Sequence, residues 1–189
     1  MPNEATITSG TESGTDRSNR ARAQEVVIKA PTADDAADVH ALIAACPPLD
    51  TNSRYANLIQ CTHFADTCAV ARLDGKVAGW VSGHHPPGRG DTYFLWQVAV
   101  SPAARGSGLP LRMIRQILSR AGQSRVRFIE TSITSANEAS WALFRSVADK
   151  LAAPIADRPW FEKSRHFAGQ HETEHLVTIG PFERVKAAI

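Results

Sequence analysis

Hydrophobic positions along this chain recur with two periods, and the changes of period predict its elements. Residues 25–30 (EVVIKA) read as a short strand that Pro31 ends. Thr32-Ala-Asp-Asp35 has the form of a helix start, with Thr32 as cap and Asp35 at the third position. Val39, Leu42 and Ile43 then follow at helical spacing, and the prolines of 46–51 (CPPLDT) break that helix. A second helix carries Tyr55, Leu58 and Ile59, capped by Asn52 or Ser53. Segments 67–73 and 76–82 flank Asp74-Gly75, the signal of a hairpin, and 84–91 is a loop by composition. The aromatic and β-branched run 92–100 (TYFLWQVAV) reads as a strand buried on both faces. Leu109, Met113, Ile114, Ile117 and Leu118 form one apolar helical stripe. A strand over 125–133 precedes a helix opened by Asn137, with Leu143, Phe144, Val147, Ala148 and Leu151 inward. After a proline- and aromatic-rich stretch (154–167), a last strand is expected over 174–179.

This alternation of strands and helices predicts an α/β chain, a mixed sheet covered by helices. Residues 1–24 hold almost nothing that could be buried, and are expected to form a disordered tail before a single domain over 25–189. The chain carries 21 basic against 19 acidic residues, a net charge of +2. That balance argues against duplex nucleic acid or an anionic membrane as the main partner. No apolar run approaches the roughly 20 residues needed to span a bilayer, and no secretory signal is visible. The three cysteines (Cys46, Cys61, Cys68) lack a CxxC pair, so a reducing cytoplasm is the expected setting.

Candidate chemistry concentrates in 94–110 (FLWQVAVSPAARGSGLP). A strand there ends in Ser-Pro, and Arg105-Gly106-Ser107-Gly108-Leu109 leads into the amphipathic helix. Glycines allow close backbone approach to a ligand, and the unpaired first amides of a helix suit a pyrophosphate. The segment resembles the coenzyme-A loop of the GNAT superfamily of N-acetyltransferases, whose pattern R/Q-x-x-G-x-G/A starts here at Arg105. The pattern's last position is Pro110, which has no N–H to donate but fits a first helical turn. Asn137 to Phe144 resembles the superfamily segment beside the pantetheine arm, with Phe144 where many relatives place a tyrosine acid. The resemblance implies a twisted, mostly antiparallel mixed sheet flanked by helices, acetyl-CoA as cosubstrate and no metal. It implies that Val98 and Val100 turn backbone groups to the cofactor, and that amides of Gly106, Ser107, Gly108 and Leu109 hold the pyrophosphate.

A more specific resemblance covers most of the chain after the tail. The strings 46–55 (CPPLDTNSRY), 61–68 (CTHFADTC), 96–100 (WQVAV), 130–134 (ETSIT), 137–140 (NEAS) and 171–174 (HETE) are similar to the L-2,4-diaminobutyrate acetyltransferase family of ectoine biosynthesis. That family implies N-γ-acetylation of a small diamino acid by direct amine attack, and a homodimer. It implies acceptor binding by Asp50, Trp96 and Glu174, with Asn52, Tyr55 and His171 close by. Such a substrate needs acceptors for two amino groups, and its γ-amine, of pKa about 10, must lose a proton before attack. Asp50 and Glu174 are expected to hold the amino groups, Trp96 to form a wall, and Glu174 to take the proton. Arg54 and Arg89 are the candidates for the substrate carboxylate.

His171-Glu-Thr-Glu-His175 also matches the zinc-protease pattern H-E-x-x-H, whose chemistry requires both histidines on one helical face. Gly169 before it and Leu-Val-Thr-Ile-Gly-Pro181 after it predict a strand instead. Cys61, His63 and Cys68 lack paired metal-ligand spacing and read as buried thiols.

Overall fold

The computed structural model describes residues 25–185, so the tail expected over 1–24 and residues 186–189 lie outside the described residues. Its strands are β1 (Val26–Lys29), β2 (Ala69–Leu73), β3 (Lys76–His84), β4 (Thr92–Val100), β5 (Phe128–Thr134), β6 (Ile155–Phe161) and β7 (Glu174–Ile179). Its helices are α1 (Ala36–Ala44), α2 (Arg54–Thr62), α3 (Leu109–Leu118), α4 (Glu138–Leu151) and the short α5 (Lys163–His166). The strands form one sheet in the order β1-β2-β3-β4-β5-β7-β6. Only β4 and β5 pair in parallel, because α3 carries the chain across one face between them.

One face of the sheet packs on α3 and α4 through Leu109, Met113, Ile114, Ile117, Phe144 and Val147. The other face packs on α1 and α2 through Val39, Ile43, Cys61, Val70 and Trp80. A Cβ at Gly79 would lie 2.8 Å from the Met113 sulfur, so this glycine lets α3 approach β3. The start of α1 is as expected: the Thr32 amide donates to Asp35 at 2.9 Å. Arg72 also bonds Asp35 at 2.7 Å and joins β2 to that turn.

Two irregularities shape the middle of the sheet. Gln97 pairs with Ser82 and Leu95 with Gly83, which leaves Trp96 as an extra, bulged residue. Pairing of β4 with β5 stops at Phe94–Glu130, although both strands continue to Val100 and Thr134. The strands therefore part beyond Phe94 and leave a gap.

One expectation needs correction, and three details are added. Strand β4 is not buried on both faces: Trp96 is 51% exposed, and Phe94, Val98 and Val100 are half-buried. The bulge and the parting of β5 uncover that side. Helix α2 forms over the expected residues, with Tyr55 72% and Leu58 39% exposed. Its buried side holds Asn57 and Gln60, which bond each other at 3.0 Å, and Asn57 also meets His40 at 3.0 Å. These bonds let the two polar side chains go in, although Gln60 Nε2 is left without a partner among the described residues. Residues 155–161, within the proline- and aromatic-rich stretch, form strand β6, an edge on which Pro159 needs no ladder partner. Ser53, not Asn52, caps α2, accepting from the Ala56 amide at 3.1 Å.

Candidate acceptor and acyl-CoA site

The gap between β4 and β5 offers backbone groups to a ligand. The Ser101 amide bonds the Ala78 carbonyl on β3 at 2.9 Å, and antiparallel pairs alternate between bonded and non-bonded. Val98 and Val100 therefore turn their amides and carbonyls away from β3, into the gap.

At the end of β4 the chain enters α3 through Gly106 and Gly108, with φ of 73° and 68°. Among the described residues nothing beyond the chain neighbours lies within 4 Å of a Cβ built on either, so the loop is an open backbone cradle. The Gly108 carbonyl takes the first helical bond, from Arg112 at 3.2 Å. The amides of Leu109 and Leu111 before it have no intrahelical partner, and Pro110 has none to offer. This donor set, at the positive end of a helix dipole, fits a pyrophosphate. The Ser107 hydroxyl is used within the loop, donating to Ala104 at 2.7 Å. Arg105 is exposed, its Nε 3.4 Å from the Val100 carbonyl. Asn137 caps α4, accepting from Ser140 at 3.1 Å. The side chains of Leu109 and Phe144 are buried in the core beside the gap.

The acceptor residues lie on the face away from α3 and α4. Gln97 donates to the Asp50 carbonyl at 2.9 Å, which ties the loop before α2 to β4 next to the bulged Trp96. Asp50 itself is exposed. Glu174 opens β7, opposite Thr134 of β5, and one of its carboxylate oxygens accepts from the Ser132 hydroxyl. The other oxygen is 4.0 Å from His171 Nε2.

An arc of aromatic rings joins the two ends. Trp96 meets His84, His84 meets Phe94, and Phe94 meets Trp160 with centroids 6.5, 5.4 and 5.7 Å apart. Trp160 stacks on Phe161 at 4.0 Å, and Phe167 links Phe161 to His171. Trp160 is itself the extra residue of a bulge, between Pro159 and Phe161. Burial, with the neighbouring His85, holds the His84 imidazole below its ordinary value, so it is neutral in this arc near pH 7.

The structure thus brings Asp50, Trp96, His171 and Glu174 to one arc of the surface. Tyr55 stands apart: it faces solvent and, like Asn52, makes no side-chain hydrogen bond among the described residues. Arg89 is not a free carboxylate receptor, because its guanidinium grips both oxygens of the buried Glu130 at 2.8 Å. Arg54, at the start of α2, is exposed. The H-E-x-x-H string is no helix: Glu174 and His175 are on β7 and point to opposite faces. Sequence reasoning missed Ser132, Gln97 and the ring arc of Phe94, Trp160 and Phe167. The aromatic density of 154–167 was the available signal for the last two.

A sheet parted between two parallel strands, with a glycine cradle at the following helix, defines an acyl-CoA-binding acetyltransferase architecture. Residues 36–148 match the model of the acetyltransferase (GNAT) family. A diaminobutyrate acetyltransferase structure from Paenibacillus lautus, in complex with L-2,4-diaminobutyric acid and coenzyme A, superposes with a TM-score of 0.80 at 34% identity. That match covers 84% of this chain and 96% of the other. The L-2,4-diaminobutyric acid acetyltransferase of Methylotuvimicrobium alcaliphilum is 50% identical over 162 residues, 86% of this chain and 94% of the relative. That of Chromohalobacter salexigens is 50% identical over 157 residues, 82% and 81% of the two chains. The chain belongs to the GNAT family and, within it, to the L-2,4-diaminobutyric acid acetyltransferases.

Proposed function

We propose that this protein transfers the acetyl group of acetyl-CoA to the γ-amino group of L-2,4-diaminobutyrate, giving N-γ-acetyl-2,4-diaminobutyrate for ectoine synthesis. The observation that carries this reading is 50% identity with diaminobutyrate acetyltransferases across nearly the whole domain. The acidic, ring-lined arc suits the same substrate: Asp50 and Glu174 present anionic oxygens to its two ammonium groups, and Trp96 offers a flat wall.

Each residue then has a defined task. The α3 amides and Gly106–Gly108 hold the pyrophosphate, and the Val98 amide donates to the thioester oxygen as negative charge grows there. Asn137 holds the start of α4 beside the pantetheine arm. Acetyl-CoA supplies the acetyl group on a thiol of ordinary pKa, about 8.5, which leaves as thiolate without an acid at Phe144. Glu174, directly or through water, takes the proton from the γ-ammonium, and Asp50 holds the α-ammonium. Arg54, exposed at the start of α2, takes the substrate carboxylate. Asn52 and His171 complete the acceptor pocket, and Tyr55, which faces solvent, is left outside it.

The working form is a homodimer in the cytoplasm. Support comes from the exposed apolar flank of Tyr55, Leu58 and Phe64, which a second copy would cover, and from the free buried cysteines. Light scattering of the purified protein checks the dimer. Asp50→Ala and Glu174→Ala test the site: each should lose acetyl transfer while keeping CoA affinity, and near-full turnover in either would remove that residue from it.

A further inference from the structure

A serine, a histidine and an aspartate meet on the far side of β7 from Glu174. His175 Nδ1 lies 2.8 Å from Asp157 Oδ2, and its Nε2 lies 3.3 Å from Ser135 Oγ. The residues come from β7, β6 and the β5–α4 turn. The nitrogen facing each partner is the one a nucleophilic relay needs: aspartate on Nδ1, serine on Nε2. A serine–histidine distance slightly beyond hydrogen-bond optimum is usual before substrate binds.

The surroundings fit that chemistry. Ser135 is exposed and sits in a turn closed on the Thr134 carbonyl by the Asn137 amide at 3.1 Å and the Trp141 indole at 3.2 Å. The amide of Ala136, next after the serine, has no hydrogen-bond partner among the described residues and can donate to an oxyanion. Ser135 follows directly on Thr134, the last residue of β5, the strand that borders the gap.

We propose that Ser135, His175 and Asp157 form a second acyl-accepting site, which takes an acetyl group from activated esters and thioesters without an amine. The Ser135 oxygen attacks the acetyl carbonyl carbon while His175 takes the hydroxyl proton. The bond from that carbon to the leaving oxygen or sulfur breaks, and the leaving group departs with its electron pair and receives the proton. Water, deprotonated by His175, then cleaves the acetyl-serine ester to acetate and restores the serine. Only the use of acetyl-CoA in this reaction rests on the function proposed above.

The test uses p-nitrophenyl acetate, which needs neither CoA nor diaminobutyrate, with acetyl-CoA alone as a second arm. Expected are an acetyl group on the Ser135 peptide by mass spectrometry and a rate of nitrophenolate release at least about tenfold above that of Ser135→Ala. Ser135→Ala should retain diaminobutyrate acetylation, which separates the two sites. His175→Gln should slow release to the same degree as Ser135→Ala. An unmodified Ser135 peptide, or equal release by wild type and Ser135→Ala, overturns the proposal and leaves the acceptor site untouched.

Discussion

The Ser132 hydroxyl donates to one oxygen of Glu174 and leaves the other facing His171 at 4.0 Å. The contact runs diagonally across the β5–β7 pair, where Ser132 lies opposite Leu176 and Glu174 opposite Thr134. A carboxylate held by one oxygen presents the second in a fixed direction. Ser132→Ala should therefore raise the KM for diaminobutyrate about tenfold, roughly the 1.4 kcal/mol of one bond to a charged group. Ser132→Thr should restore it, and the affinity for CoA should be unchanged in both. Steady-state kinetics with each substrate varied checks this.

Arg89 and Glu130 form a structural pair. Glu130 is 8% exposed and would be left without its cation in Arg89→Met, at a cost of about 1–3 kcal/mol. The urea midpoint should fall accordingly while KM for diaminobutyrate stays within about twofold. A KM raised tenfold with unchanged stability would mean that Arg89 binds the substrate carboxylate.

Acid should weaken the turn before α1. Burial alone would raise the Asp35 carboxyl, but bonds from Arg72, Thr32 and Lys29 outweigh it and hold the group below its ordinary value of 3.8. A depressed folded value gives stability that is fully present above 3.8 and lost as pH falls through the lower folded value. Urea midpoints measured from pH 7 down to pH 2 should drop less steeply for Asp35→Asn than for wild type, with the variant weaker at pH 7.

The thiols should be silent in the folded protein. Burial pushes Cys61 up to about 12 and Cys68 up to about 11, and Cys46 is buried as well. At pH 8 a disulfide reagent should label none of the three before urea is added and all of them after. Thiol release in acetyl-transfer assays then reports CoA alone.

Much of the fold was readable because local signals agreed. Asp74-Gly75 marked the β2–β3 turn, the 109–118 stripe marked α3, and the expected 174–179 matches β7. Residues whose fate depends on distant partners were not readable. The buried face of α2 includes a polar residue that bonds His40, and β6 is an edge with both sides open, so neither burial was legible from the local pattern. Trp96 owes its exposure to a bulge that no single strand encodes, and Arg89 found a partner 41 residues away. The glycine cradle was legible because its residues adjoin in sequence. Ser132 and Gln97 were not, because what they hold is 42 and 47 residues distant.

The central claim is that the ring-lined acidic arc directs the γ-amine of diaminobutyrate to the thioester. Its most direct test is NMR of the product formed from L-2,4-diaminobutyrate and carbon-13-labelled acetyl-CoA, with ornithine and lysine run beside it. The account predicts a single product carrying the label on the γ-nitrogen, formed faster than either homologue's. Acetylation at the α-nitrogen, or no product at millimolar diaminobutyrate, would contradict it.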